Sequence, residues 1–129
     1  MKATDLMIGD YVSQKESNLI LKVSKVNPPY IEAEGEGGQF HENTLRAIPL
    51  TTEILETNGF FINQDKDESW YEIKIGEFGI IGITRFEDTV DWIIGYTDGT
   101  NLIEHLEVEY VHELQHALRL LRIEKEILL

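Results

Sequence analysis

The stretch "VHELQHALRLL", Val111 to Leu121, holds the residues best suited to chemistry. His112 and His116 stand four apart with Glu113 between them, the HExxH pattern. On a helix, positions i and i+4 share a face, so two imidazoles can reach one zinc ion. The glutamate then stands where a general base activates a metal-bound water. A catalytic zinc also needs a third protein ligand and an open position. In metzincins a glycine follows three residues after the second histidine and a third histidine three further on. Arg119 and Arg122 occupy those places here, and both bring positive charge towards a cation. Glu124 and Glu126 fall in or beside a stretch that reads as a terminal strand. A third ligand would therefore come from upstream, with His105 and His41 as the candidates.

Two further tests bear on this pattern. A chain of this composition holds about 0.02 such matches by chance, so a whole proteome contains many accidental ones. On a helical wheel, Tyr110, Val111, Leu114, Ala117, Leu118 and Leu121 form one apolar arc, and both histidines lie roughly 160° from its centre. The expectation is an amphipathic helix with solvent-facing histidines, its arginines near the negative helix end. No catalytic, cofactor-binding or metal residue is assigned. His112, Glu113 and His116 remain candidate ligands under the alternative of a zinc-dependent hydrolase, the one reading that brings a cofactor.

Other motifs dissolve on inspection. The run from Asp65 imitates the start of an EF-hand loop, but Trp70 stands where glycine is needed and Gly76 where a bidentate glutamate is needed. "EGEGG" matches no phosphate-binding fingerprint and is read as a turn. Gly76, Gly79 and Gly82 are read as a turn and a close backbone approach within strands, not as a ligand cradle. Trp70, Tyr71, Phe86, Trp92 and Tyr96 read as strand aromatics, mostly core.

The elements that would position these residues come from periodicity. "GDYVS", "NLILKVSKV", "YIEAE" and "QFHEN" are short strands separated by turns, and "LRAIPL" leads out of them. Such close spacing suggests a small SH3-like β-barrel over residues 1–50. Residues 51–129 read as an α+β subdomain: a helix at about 52–58, four strands, a helix at about 109–122 and a terminal strand "KEILL". Thr51 or Thr52 can cap the first helix and Gly59 fits the position past its end. "WYEIKI", "GIIGITRF", "VDWIIGY" and "NLIEHLEV" form an antiparallel meander, with Asp98-Gly99 as its clearest hairpin turn. The fold class expected is α+β, an SH3-like barrel-type N-terminal half followed by an antiparallel β-meander with two helices.

Charge narrows the function classes. The 129 residues carry a formal net charge of -13. Nucleic-acid binding needs a basic patch, and the 11 Lys and Arg are scattered, so neither nucleic acid nor an anionic membrane is an expected partner. A basic protein partner, or self-association, fits better. There are no cysteines, which removes disulfides, thiolate zinc sites and a thiol nucleophile. No apolar run is long enough for a membrane span, and the opening has no leader-like run, so the expected compartment is the cytoplasm.

"MKATDLMIGDYV", "AIPLTTEILETNGF" and "YVHELQHALRLL" together resemble a group of small bacterial proteins, some carried on prophages or other mobile elements. Members open with a similar strand, pass through "PIPLT" and a short helix ending in "GF", and finish with a "YVHxLQ" helix. The resemblance implies that Tyr110, Val111, Leu114 and Gln115 seat this helix on a sheet. It also implies that His116 and Glu113 vary, which makes HELQH a local accident. It brings no activity with it. The function expected is that of an acidic, non-enzymatic protein-interaction or accessory protein of a mobile element. A weaker alternative is an acidic mimic of nucleic acid.

Overall fold

The computed structural model describes residues 1–63, 70–77, 79–85, 90–97 and 102–129, with the side chains of residues 102–105 outside the description. The chain is α+β: two antiparallel sheets of five strands each and two α-helices. Contacts divide it into two units. The first comprises Met1–Pro49 with Tyr110–Gln115 and Leu129, and the second Leu50–Glu109 with His116–Leu128.

The first unit is built on β1 (Tyr11–Gln14), β2 (Ile20–Asn27), β3 (Tyr30–Ala33), β4 (Phe40–His41) and β5 (Leu45–Ala47). Their order is β4-β3-β2-β1-β5, all antiparallel. The stretch "LRAIPL", expected only to lead out, supplies β5 and pairs with β1 through Val12–Ala47 and Ser13–Arg46. Among the described residues β4 and β5 do not pair, so this sheet is open and not a closed barrel. Strand alternation holds from Ile20 on, with Leu21 and Val23 buried while Ile20 and Ser24 face water; Leu19, expected on the inner side, precedes the strand and is exposed. Ala3, Leu6, Val12, Leu21, Val23, Ile31, Ala33 and Leu45 form the core, with Val26 and Phe40 packed against it.

The second unit begins with α1 (Thr52–Thr57). Thr51 caps it: its hydroxyl oxygen accepts the Ile54 N–H at 3.2 Å. The helix ends as glycine allows. Gly59 has φ +88°, its N–H donates to the Glu56 carbonyl, and the Phe60 N–H donates to the Leu55 carbonyl. This is a Schellman motif, with buried Leu55 and Phe60 as its apolar contact. Then come β6 (Phe61–Ile62), β7 (Tyr71–Ile75), β8 (Gly79–Arg85), β9 (Trp92–Thr97) and β10 (Leu102–Val108). The order β10-β9-β8-β7-β6 is an antiparallel meander. The four expected strands are present, and β6 precedes them at two residues for which no element was expected. The Asp98-Gly99 turn, the acidic run at 65–69 and Phe86 lie outside the described residues.

Tyr71 and Trp92 are buried and meet edge to face at 6.4 Å. The Trp92 indole N–H donates to the Leu50 carbonyl at 3.1 Å. Gly82 is required by close approach: a Cβ there would run into the Trp70 indole. That indole N–H donates to Glu72 Oε1 at 2.7 Å, and the Asn63 amide donates to the same oxygen at 3.0 Å, which satisfies a carboxylate that is only 4% exposed.

The last helix, α2, runs Val111–Leu120, shorter at both ends than expected. It too closes with a Schellman pattern: Arg122 N–H to the Arg119 carbonyl, Ile123 N–H to the Leu118 carbonyl. Here the left-handed position, φ +58°, is held by Arg122 where a glycine is usual. The expected terminal strand is absent: residues 123–129 have no regular structure. The segment is held instead by Asn58. Its Nδ2 donates to the Leu128 carbonyl at 2.9 Å, and its Oδ1 accepts the Leu128 N–H at 2.7 Å. One side-chain amide pairs both backbone groups that a neighbouring strand would otherwise pair. Burial of Ile123 and Ile127 holds the rest of the segment.

Candidate functional site

The HELQH helix begins at an N-terminus without a capping hydroxyl. Tyr110 precedes its first residue, and tyrosine cannot fold its side chain back to the first turn. Glu113 does this work instead: its Oε1 accepts the Tyr110 N–H at 3.0 Å. That is the reach-back half of a capping box, with an anion placed in the first turn where the helix dipole favours it. The position that would carry a general base thus carries a helix cap.

His112 corrects the helical-wheel expectation. It is only 7% exposed and does not face solvent; its ring stacks on Tyr110 with 5.9 Å between centroids and 11° between planes. His116 is half-buried. The apolar arc predicted the inner side correctly as far as it went, since Val111, Leu114, Ala117 and Leu118 are all buried. The buried arc is wider than the apolar residues alone mark, because Gln115 and His112 are inside it. Leu121 is only half-buried.

Of the two upstream candidates, only the His41 side chain lies among the described residues. His41 serves its own neighbourhood: its Nδ1 accepts the Asn43 N–H at 3.1 Å at the start of a 3-10 turn, Glu42–Thr44, and its ring meets Tyr30 edge-on. The His105 side chain is outside the described residues. Among the described residues no group of three or more His, Asp or Glu side chains is gathered so that it could hold a metal ion.

The residue of the helix with the most specific engagement is Gln115. It is 7% exposed. Its Oε1 accepts the Tyr11 N–H at 3.0 Å, and its Nε2 donates to the Gly9 carbonyl at 2.9 Å. Gly9 can present that carbonyl because its φ of +92° turns the chain sharply before β1. Asp10, fully buried, closes the same turn by accepting the Met7 N–H at 2.8 Å. The Tyr110 end is fixed as well, by an isolated bridge to Pro49 and by the Val111 N–H donating to the Ile48 carbonyl at 2.9 Å. The "IGDY" turn and the "YVHELQ" helix start, about a hundred residues apart, therefore meet through one amide side chain. Of the four residues the resemblance names for seating the helix, Val111, Leu114 and Gln115 are buried and Tyr110 is half-buried. Composition and periodicity pass over Gln115, Asn58 and Glu72, because each is polar and its burial depends on a partner far along the chain or across a strand pair.

Comparison with protein-family models, with curated proteins and with solved structures returned no match in any of the three.

Proposed function

We propose that this is a non-enzymatic accessory protein that works by binding a basic partner protein, in the setting of a mobile element. The observation that carries the reading is β6. It stands at the end of the second sheet, and both its residues are exposed and apolar, Phe61 at 47% and Ile62 at 40%. The Asn63 N–H donates to the Trp70 carbonyl, which by strand geometry turns the N–H and C=O of Ile62 towards the outer edge. An edge of this kind accepts an extended segment of another chain, with main-chain bonds for affinity and side chains for choice. The net charge of -13 favours a segment that is basic. The first unit is read as an SH3-like sheet: β5 returns beside β1, and the 3-10 turn Glu42–Thr44 precedes it, the layout of small barrels often used for binding.

The test is affinity capture from the native host with the full chain and with the double variant Phe61→Lys, Ile62→Lys, which adds positive charge to the edge and removes its apolar surface. The expected result is a specific basic protein retained by the parent and lost by the variant. Capture of no specific protein, or equal retention by the variant, overturns the reading.

A further inference from the structure

Asn58 and Gly59 form the only Asn-Gly pair in the sequence. This is the dipeptide most prone to spontaneous deamidation, since glycine puts no side chain in the way of its own amide nitrogen. Asn58 is also the residue that fastens the segment 123–128. It is 5% exposed, and its carboxamide is held on three sides: Nδ2 donates to the Ile54 carbonyl at 2.8 Å and to the Leu128 carbonyl at 2.9 Å, while Oδ1 accepts the Leu128 N–H at 2.7 Å. The nucleophile is held too, because the Gly59 N–H donates to the Glu56 carbonyl at 3.1 Å.

We propose that Asn58–Gly59 is a latent deamidation site, kept closed by the Leu128 clamp, whose reaction releases the segment 123–128. In the reaction the Gly59 nitrogen loses its proton and bonds to Asn58 Cγ. The Cγ–Nδ2 bond breaks and ammonia leaves, which closes a succinimide ring. Water then opens the ring at either carbonyl, giving aspartate or isoaspartate, with no oxidant or reductant involved. Neither product can rebuild the clamp. A carboxylate has no hydrogen to give to the Ile54 and Leu128 carbonyls, and it would be a buried anion facing both. Isoaspartate also lengthens the backbone by one carbon inside the Schellman turn that Gly59 closes. The released segment carries Ile123 and Ile127, now buried, out towards water. The reaction is thus a one-way change that adds negative charge and exposes apolar side chains at one defined place.

The reaction needs the carboxamide free and the Gly59 nitrogen within reach of Cγ, so in the folded chain it proceeds only through local opening. Two measurements on the full chain decide the proposal. The first is peptide mass spectrometry of Asn58 after ageing at mildly alkaline pH, in buffer and in unfolding urea. The folded chain is expected to deamidate at least about tenfold more slowly. Equal rates would mean that the clamp does not protect. The second is amide hydrogen exchange of residues 123–128 in the parent and in Asn58→Asp, the reaction product, with exchange in β1 and β2 confirming that the variant is folded. Faster exchange confined to this segment and α1 is expected. Parent-like protection at Leu128 in the variant shows that the product still holds the segment and overturns the release. Loss of protection throughout the second unit shows that Asn58 supports the whole unit and overturns it as well.

Discussion

Gln115→Ala is the substitution that most directly tests how the helix is held. The change removes one acceptor and one donor while leaving both backbone partners in place. The Tyr11 N–H sits in a buried hydrogen bond, and a buried donor left unsatisfied costs about 1–3 kcal/mol. The Gly9 carbonyl is less enclosed and contributes about 1 kcal/mol, so the expected loss is about 2–4 kcal/mol. Against a typical total of about 5–15 kcal/mol, that is a large fraction. Urea unfolding monitored by circular dichroism reads the loss, and hydrogen exchange at the Tyr11 amide reads it locally. Gln115→Glu sharpens the test. Ionised, the new side chain keeps the bond from Tyr11 but sets a carboxylate against the Gly9 carbonyl. Protonated, it can donate again. Its folded-state pKa is therefore raised, so its stability contribution is present below the ordinary glutamate value of about 4.3 and lost as pH rises through the raised value. The variant should approach the parent at low pH and fall behind it at neutral pH. A Gln115→Ala loss below about 0.5 kcal/mol, or a Gln115→Glu deficit that does not change with pH, would refute the reasoning.

Other outcomes follow from the same structure. Arg122→Gly relieves a left-handed residue and should stabilise the chain by up to about 1 kcal/mol, seen as a higher urea midpoint; a lower midpoint would show that the Arg122 side chain matters more than its backbone. Thr51→Ala removes the α1 cap and should cost about 1 kcal/mol, whereas Thr51→Ser should restore most of it. Gly82→Ala drives a methyl into the Trp70 indole and should cost about 1–3 kcal/mol, with a shift in tryptophan fluorescence as the ring moves. Burial, with help from Glu56 and Glu53, pushes the Tyr71 hydroxyl above its ordinary value of 10.0, so the folded chain holds this proton more tightly than the unfolded one. The resulting stability is present below that ordinary value and lost as pH rises through the raised one, and the alkaline decline of the urea midpoint should be shallower in Tyr71→Phe.

What could be read from the sequence was what is local. Thr51, Glu53 and Gly59 lie within one short stretch, and each acts on its own neighbours, so α1 was legible with its cap and its end. The alternation of Leu21 and Val23 against Ile20 and Ser24 marked β2 because strand period and burial coincide there. The α+β class, the meander and the two helices followed from such signals, and a closed barrel in the first half did not. Legibility failed wherever a partner distant in sequence supplies what the local chain lacks. "KEILL" reads as a strand by its apolar spacing, but Asn58, about seventy residues away, takes both backbone groups of Leu128 and no ladder forms. The end of α2 carries no glycine, yet Arg122 takes a left-handed backbone there, with the Ile123 N–H donating to the Leu118 carbonyl and Ile123 buried.

The HELQH stretch shows the same division. Its residue types and its period of 3.6 determined an amphipathic helix and most of its inner side, because those depend on the helix alone. That Glu113 caps the helix, that His112 is buried against Tyr110, and that Gln115 grips the turn at Gly9 were decided only by tertiary structure. The physical reason is that a polar side chain favours water unless a hydrogen-bond partner meets it inside. It goes inside where a backbone donor or acceptor waits for it, and the fold alone sets where those wait.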